Sequence, residues 1–288
     1  MGPKHAIEHD PLVLLARRAA AAGAQVLASR TGTFSALNTK SEAGDWVTEF
    51  DRNAEEAIRN TIITMRPNDE LTGEEFGHHR PLKPSGYRWS IDPLDGTANF
   101  VRGIAYYASS VAVCHTDASG QTRWLAGAVS APALGVEYYA GHGLGAWKLE
   151  HARQQVTALN GPRDSDAKVI ATGFGYDVAR RQFQSQMLGE LLTDYVNVRR
   201  LGSAALDLCL VAEGALEAYA EFGTQEWDWA AGALLAEEAG AKVGRPLGYP
   251  GWQYAGVIDE TKLRLPDTQS AAQTEQQSAA PAAKDDAS

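Results

Sequence analysis

The 288 residues carry 44% apolar side chains, with 26 Lys and Arg set against 36 Asp and Glu, for a formal net charge of −10. A chain of this length can bury a substantial core, and the apolar share is that of a globular protein rather than a disordered one. The acid excess argues against a nucleic-acid backbone or an anionic membrane as a general partner, and an anionic substrate would need a cation to offset local carboxylates.

Two cysteines, Cys114 and Cys209, sit in apolar runs and read as buried, reduced thiols, consistent with a cytoplasmic protein. No uninterrupted run of about 18 apolar residues is present, and the N-terminus lacks the basic-then-apolar pattern of a secretion signal. Residues 1–9 read as a polar, flexible lead-in. Asp10-Pro11 then starts a helix, with Asp as N-cap and Pro in the first turn. Leu12, Leu15, Ala19, Ala22 and Val26 repeat at helical spacing as far as Ser29. Residues 31–45 read as a loop with a strand near 34–39, followed by Lys40. A second helix opens at Val47-Thr48-Glu49-Phe50-Asp51 and runs to about Met65, where Thr48 and Asp51 have the spacing of a capping box. Residues 70–73 form a short strand that delivers Glu74 and Glu75 to its end. His78-His79-Arg80 reads as a loop, because no Cys or His partner stands at a metal-like spacing.

The stretch Trp89-Ser90-Ile91-Asp92-Pro93-Leu94-Asp95-Gly96-Thr97 reads as a buried strand ending in a stiff turn. Pro93 fixes φ, Gly96 allows backbone shapes other residues resist, and two carboxylates converge beside a hydroxyl. Hard divalent cations take oxygen ligands of this kind, although Asp, Pro and Gly also make ordinary turns. Strands follow at 106–114, 125–131, 135–140 and 146–149, with Gly141 to Gly145 as a hairpin turn rather than a nucleotide loop. Residues 153–165 read as loop, 169–172 as strand and 178–192 as helix. Gly202-Ser203-Ala204 begins a helix, and its start offers N–H groups to an anion or hydroxyl, or Ser203 is simply an N-cap. Residues 216–221 form a strand ending in Glu221, and Asp228 opens the last long helix, to about Gly240. From 266 to 288 no large apolar residue occurs, so that segment is expected to be a disordered tail. The organisation predicted is one domain over 10–265, in two sub-lobes of about 10–150 and 151–265.

Asp92-Pro93-Leu94-Asp95-Gly96-Thr97 resembles the signature of the inositol monophosphatase family of Mg²⁺-dependent, lithium-sensitive phosphatases. Gly73-Glu74-Glu75 and Trp227-Asp228-Trp229-Ala230-Ala231-Gly232 are similar to its two other signatures, in the same order, and the resemblance runs from about Leu12 to Val243. It implies an αβαβα layered α/β sandwich like that shared with fructose-1,6-bisphosphatase. It also implies two or three Mg²⁺ per site: one on Glu74, Asp92 and the Leu94 carbonyl, a second on Asp92, Asp95 and Asp228, and a weaker third near Asp51. Glu74 and Thr97 would orient the attacking water, with Asp51 completing the catalytic set. The N–H groups of Gly96 and Thr97 would help cradle the phosphate, Gly202, Ser203, Ala204 and Glu221 would meet the ring hydroxyls, and Leu94, Asp95 and Asp228 would also contact the substrate. The implied reaction is hydrolysis of inositol monophosphate to myo-inositol and phosphate. Histidinol phosphate, a 3′-phosphonucleotide and fructose 1,6-bisphosphate are the alternatives, and a non-catalytic regulator on the same fold is the reading from another class. The partner expected is a small phosphate monoester, with a homodimer as assembly and no membrane or nucleic acid. Phe76, Ala98 and Ala241 depart from the usual family pattern without touching a proposed ligand.

Overall fold

A computed structural model describes residues 3–30, 38–39, 46–163, 168–246 and 248–266. The expected strand residues 34–37, Lys40 and the tail from 267 onward lie outside the described residues. In chain order the first part comprises α1 (Pro3–Ile7), α2 (Pro11–Ala28), the paired β1 (Asn38–Thr39) and β2 (Trp46–Val47), α3 (Glu49–Met65), β3 (Glu70–Gly73), β4 (Gly77–His79), β5 (Tyr87–Asp95) and α4 (Thr97–Arg102). It continues with β6 (Ala108–Thr116), β7 (Thr122–Ala131), β8 (Val136–Gly141), β9 (Gly145–Glu150) and β10 (Gln155–Ala158). The second part comprises β11 (Val169–Ala171), α5 (Val178–Leu191), β12 (Asn197–Arg199), α6 (Ala204–Glu213), β13 (Ala218–Phe222), α7 (Glu226–Glu238), β14 (Val243–Gly244) and β15 (Trp252–Gly256).

Eight strands form one sheet in the order β10-β9-β8-β7-β6-β5-β3-β4, and five form another in the order β12-β11-β13-β15-β14. Alternation along the strands separates two apolar faces on each sheet. On the larger sheet Ile91, Val111, Val113 and Tyr139 pack with α2 and α3, whereas Ala112, Cys114, Val129 and Tyr138 pack with α6 and α7. On the smaller sheet Ala171 and Tyr219 face α6 and α7, while Ile170, Ala218 and Phe222 face Met187 and Leu191 of α5. The layers are therefore α, β, α, β, α, the sandwich expected from the sequence.

The middle layer is thin because α7 is lined with Ala and Gly. A Cβ on Gly127 of β7 would stand 3.1 Å from the Cα of Ala231. Among the described residues α2 alone is long and apolar enough, by length and composition, to cross a membrane. Here it lies on β6 and β7, with Asp10 accepting the N–H groups of Leu12 and Val13 at 2.9 Å as its cap.

Four readings are corrected. The lead-in contains α1, and Ile7, its single branched aliphatic side chain, is fully buried beside α2; one anchor in a polar stretch leaves no periodicity to read. His78 and His79 lie on the edge strand β4, where His78 meets Glu70 and Thr72 across the ladder with β3. Residues 155–158 form β10 against β9, so the first lobe extends past residue 150. The Asp-Pro-Leu-Asp segment continues β5 through a bulge between Asp92 and Asp95 instead of turning at once. The bulge accommodates Pro93, which has no N–H for the ladder.

Gly232 tests the close approach of α6 and α7. Gly→Ala in a free helix is stabilising, but here the Cβ would meet Leu208 Cβ at 2.7 Å and the Ala205 carbonyl at 3.0 Å. Gly232→Ala is expected to lower stability by about 1–3 kcal/mol in urea unfolding. A gain in stability would show that the layers can separate freely.

Candidate active site

The site assembles where β3 and β5 end, facing the N-termini of α6 and α7. Leu94 N–H donates to Asp92 Oδ1 at 3.0 Å, which fixes the bulge and turns the Leu94 carbonyl. Gly96 has φ +94°, and a Cβ there would stand 3.0 Å from the Tyr106 carbonyl and 3.2 Å from that of Gly202. Only glycine fits this crossing point between the lobes. The Thr97 hydroxyl donates toward the Leu94 carbonyl at 3.0 Å and Asp51 Oδ1 at 3.3 Å. With its proton held from behind, its oxygen can accept a hydrogen bond from a water in the cavity.

Asp51 is fully buried, and its Oδ2 accepts Thr48 N–H at 2.7 Å and the Thr48 hydroxyl at 2.6 Å. It caps α3 and reaches toward the site through Thr97, but it does not line the cavity. Asp51 thus stands behind Thr97 and touches the site through that hydroxyl.

Asp95 spans the two lobes. Its Oδ2 accepts the Ser203 hydroxyl and the Ala205 N–H, each at 2.7 Å. The start of α6, which the sequence offered to a substrate, is therefore already occupied by a protein carboxylate, and the Ser203 hydroxyl also accepts Leu206 N–H as N-cap. Asp228 stands in the first turn of α7, where Gln225 N–H donates to Oδ2 at 2.6 Å. Glu221, next to last in β13, accepts the Tyr219 hydroxyl at 2.9 Å.

Glu74, Asp92, Leu94, Asp95, Gly96, Thr97, Gly202, Ser203, Ala204, Glu221 and Asp228 all line one cavity of about 470 Å³. Asp207, Arg200 and Arg180 are among the lining residues missed in the sequence. Asp207 is buried inside α6 and accepts the Tyr106 hydroxyl at 2.8 Å; an aspartate within the apolar run Ala-Ala-Leu-Asp-Leu-Cys was its signal. Arg200 and Arg180 had none, since an arginine in a loop or on a helix surface is ordinary. Arg180 donates to the Gly223 carbonyl at 3.1 Å and the Tyr249 hydroxyl at 2.9 Å at the cavity mouth.

Residues 8–281 match the model of the Inositol monophosphatase family. The chain belongs to that family. It is 42% identical over 211 residues to the inositol-1-monophosphatase of Mycobacterium bovis, covering 72% of this chain and 71% of that protein. Over 236 residues it is 37% identical to the Nus factor SuhB of Pasteurella multocida, covering 81% of this chain and 85% of that protein. Its structure is similar to that of Mycobacterium tuberculosis SuhB, with a TM-score of 0.68, 34% identity and coverage of 96% and 97% of the two chains. It is similar also to the inositol monophosphatase of Anabaena, with a TM-score of 0.67, 28% identity and coverage of 90% and 97%.

The donor set suits a hard cation of the kind family members are generally built around. Burial raises the Asp95 carboxyl to about 6, against the hydrogen bonds from Ser203 and Ala205. Burial, then the charges of Asp95 and Glu74, raise Asp228 well above the carboxylate range. Burial also raises Glu221, to about 7, opposed by the Tyr219 hydroxyl and the charge of Arg200. Carboxylates raised by burial and by neighbouring acids are short of positive charge. As the side chains stand, no group of three among the described residues is closed to metal-ligating spacing. Asp95 and Asp228 each spend one oxygen on a helix N-terminus, so the cluster is spread around the cavity.

Asp95 binds its proton more tightly folded than unfolded, so the metal-free protein loses stability as pH rises from about 4 through about 6. Asp95→Asn keeps an acceptor for Ser203 or Ala205 and removes the charge. With EDTA, the wild type is expected to lose on the order of 2 kcal/mol more than Asp95→Asn between pH 4.5 and 7.5. Urea midpoints at the two values measure this, and equal losses would show that Asp95 is not strained by its charge.

Proposed function

We propose that this protein is a Mg²⁺-dependent phosphatase that hydrolyses inositol monophosphate to myo-inositol and phosphate by attack of water. The observation that carries the reading is the convergence of Glu74, Asp92, Asp95 and Asp228 on a cavity also lined by Thr97, Glu221 and Asp207. A phosphate ester cannot enter such a cavity against four carboxylates unless a cation offsets them.

Glu74, Asp92, the Leu94 carbonyl, Asp95 and Asp228 are the residues that would hold Mg²⁺. When bound, the metal supplies charge neutralisation, a lowered pKa for water and a template for the phosphoryl oxygens. The chain's own residues orient the reactants. The Thr97 oxygen accepts from the attacking water and Glu74 stands ready to take its proton. Glu221 and Asp207 offer carboxylate oxygens to ring hydroxyls, and Arg180 and Arg200 moderate the acid excess on the same wall.

The relative named a Nus factor marks a second reading, a binding role on the same fold. Retention of all the carboxylates around one cavity favours catalysis. A panel of phosphate esters assayed with Mg²⁺, comparing kcat/KM, tests the assignment; absence of hydrolysis across the panel would end it. A cytoplasmic homodimer without a nucleic-acid partner completes the proposal.

Protons and Mg²⁺ compete for the same oxygens. Activity is therefore expected to fall as pH drops through about 6, where Asp95 takes up a proton. Raising Mg²⁺ tenfold should move this acid limb to lower pH, and a limb indifferent to Mg²⁺ would place the titrating group elsewhere.

Glu221→Gln separates ring recognition from phosphate chemistry. A lost hydroxyl contact costs about 1–3 kcal/mol, so kcat/KM for inositol 1-phosphate should drop roughly ten- to a hundredfold. p-Nitrophenyl phosphate, which has no ring hydroxyls, should change less than threefold. Equal losses on both esters would assign Glu221 to the metals or the fold.

A further inference from the structure

Glu55 lies in the middle of α3, outside all three signature motifs and away from the cavity wall, yet its side chain is completely buried. Its carboxylate is pushed under the turn that follows β3. Oε2 accepts the N–H of Glu75 at 2.7 Å, while Oε1 accepts Arg59 Nε at 2.7 Å and the N–H of Phe76 at 3.3 Å. Arg59 itself reaches on to the Gly77 carbonyl, so the ion pair grips both ends of the turn. Gly73 leaves room for this: a Cβ there would stand 2.0 Å from Oε1 and 2.5 Å from the carboxylate carbon.

The residue at the centre of that grip is Glu74. Its N–H donates to the Ile91 carbonyl of β5 at 3.2 Å, one residue before Asp92. The Glu74 backbone is thus held from one side by β5 and from the other through its neighbours' amides on Glu55.

We infer that Glu55 is a positioning residue for Glu74, setting the cavity carboxylate through the backbone of residues 73–76. The inference rests on the proposed role of Glu74 as a metal ligand. A merely stabilising part does not account for the arrangement. A buried ion pair can often be replaced by apolar groups with no loss of stability, whereas a carboxylate aimed at two consecutive amides fixes a particular turn. The motif glycine gains a reason as well: Gly73 is small because the Glu55 carboxylate occupies the place of its side chain.

Glu55→Gln keeps the shape but turns an amide NH₂ toward one of the donors and weakens the pair with Arg59. Gly73→Ala leaves Glu55 in place and displaces its carboxylate from the other side. Titration calorimetry with Mg²⁺ on metal-free protein, beside Mg²⁺ activation curves, reads the effect. Each variant is expected to bind Mg²⁺ roughly tenfold more weakly, with KM for the ester at saturating Mg²⁺ within about twofold of wild type. A folded variant with wild-type Mg²⁺ affinity overturns the inference, even if its melting temperature has fallen. Should Glu55→Gln fail to fold, the titration of Gly73→Ala decides. A wild type that binds Mg²⁺ but hydrolyses no ester would defeat the phosphatase reading alone, since the calorimetric comparison still decides the role of Glu55.

Discussion

The carboxylate of Asp95 joins the last residue of β5 to the first turn of α6, and with it the larger sheet to the second lobe. Each side of that contact has its own local reason. Strand β5 is bulged at Pro93 and stopped by Gly96, while α6 begins with a Ser cap and unpaired amides that favour a negative partner. Asn99 reinforces the junction by donating to the Tyr106 carbonyl at 2.8 Å and the Leu201 carbonyl at 2.7 Å. Arg88 and Glu226 pair across the same boundary, from β5 to the start of α7. The cavity exists because these contacts hold two lobes against each other at their polar ends.

That arrangement places the site under electrostatic tension. Asp95, Asp228 and Glu221 are half-buried acids whose proton affinities all rise, chiefly through loss of water and partly through one another. The helix N-termini of α6 and α7 lessen the cost without removing it, because each amide answers only one oxygen. The remaining deficit of positive charge is what a divalent cation would supply. A site relaxed in the metal-free state would have less affinity to offer, so the instability and the proposed cofactor have the same origin.

Much of this was legible in the sequence because the decisive residues are contiguous. Asp92, Leu94, Asp95, Gly96 and Thr97 fall within one short segment, and a strand end followed by glycine brings them together whatever the rest of the chain does. The layers were legible through the family resemblance, and α2, α3 and α7 through caps and apolar spacing. What escaped was nonlocal. Glu55 and Glu75 are 20 positions apart and Arg88 and Glu226 are 138 apart, so neither pair leaves a local pattern. The short edge strands β4 and β10 are exposed or nearly so and lack the alternation that marks a half-buried strand. Ile7 shows the converse, since one buried anchor orders a polar segment without any period to announce it.

In the proposed reaction, chemistry and recognition fall to different parts of the molecule. Glu74, Asp92, Asp95 and Thr97 come from β3, β5 and the turn beyond it, on a sheet buried by helices on both faces. Glu221, Ser203, Asp207, Arg180 and Arg200 come from the second lobe, on a strand end, two helices and the loop before α6. Asp228, on the helix packed between the sheets, belongs to both sets. Substitutions on the second lobe can therefore reshape one wall of the cavity while the carboxylates of the first lobe stay fixed. The reverse is not open to this fold. Moving β5 would shift Asp92 and Asp95 together, break the contact with α6 and open the junction at Gly96, where no side chain fits.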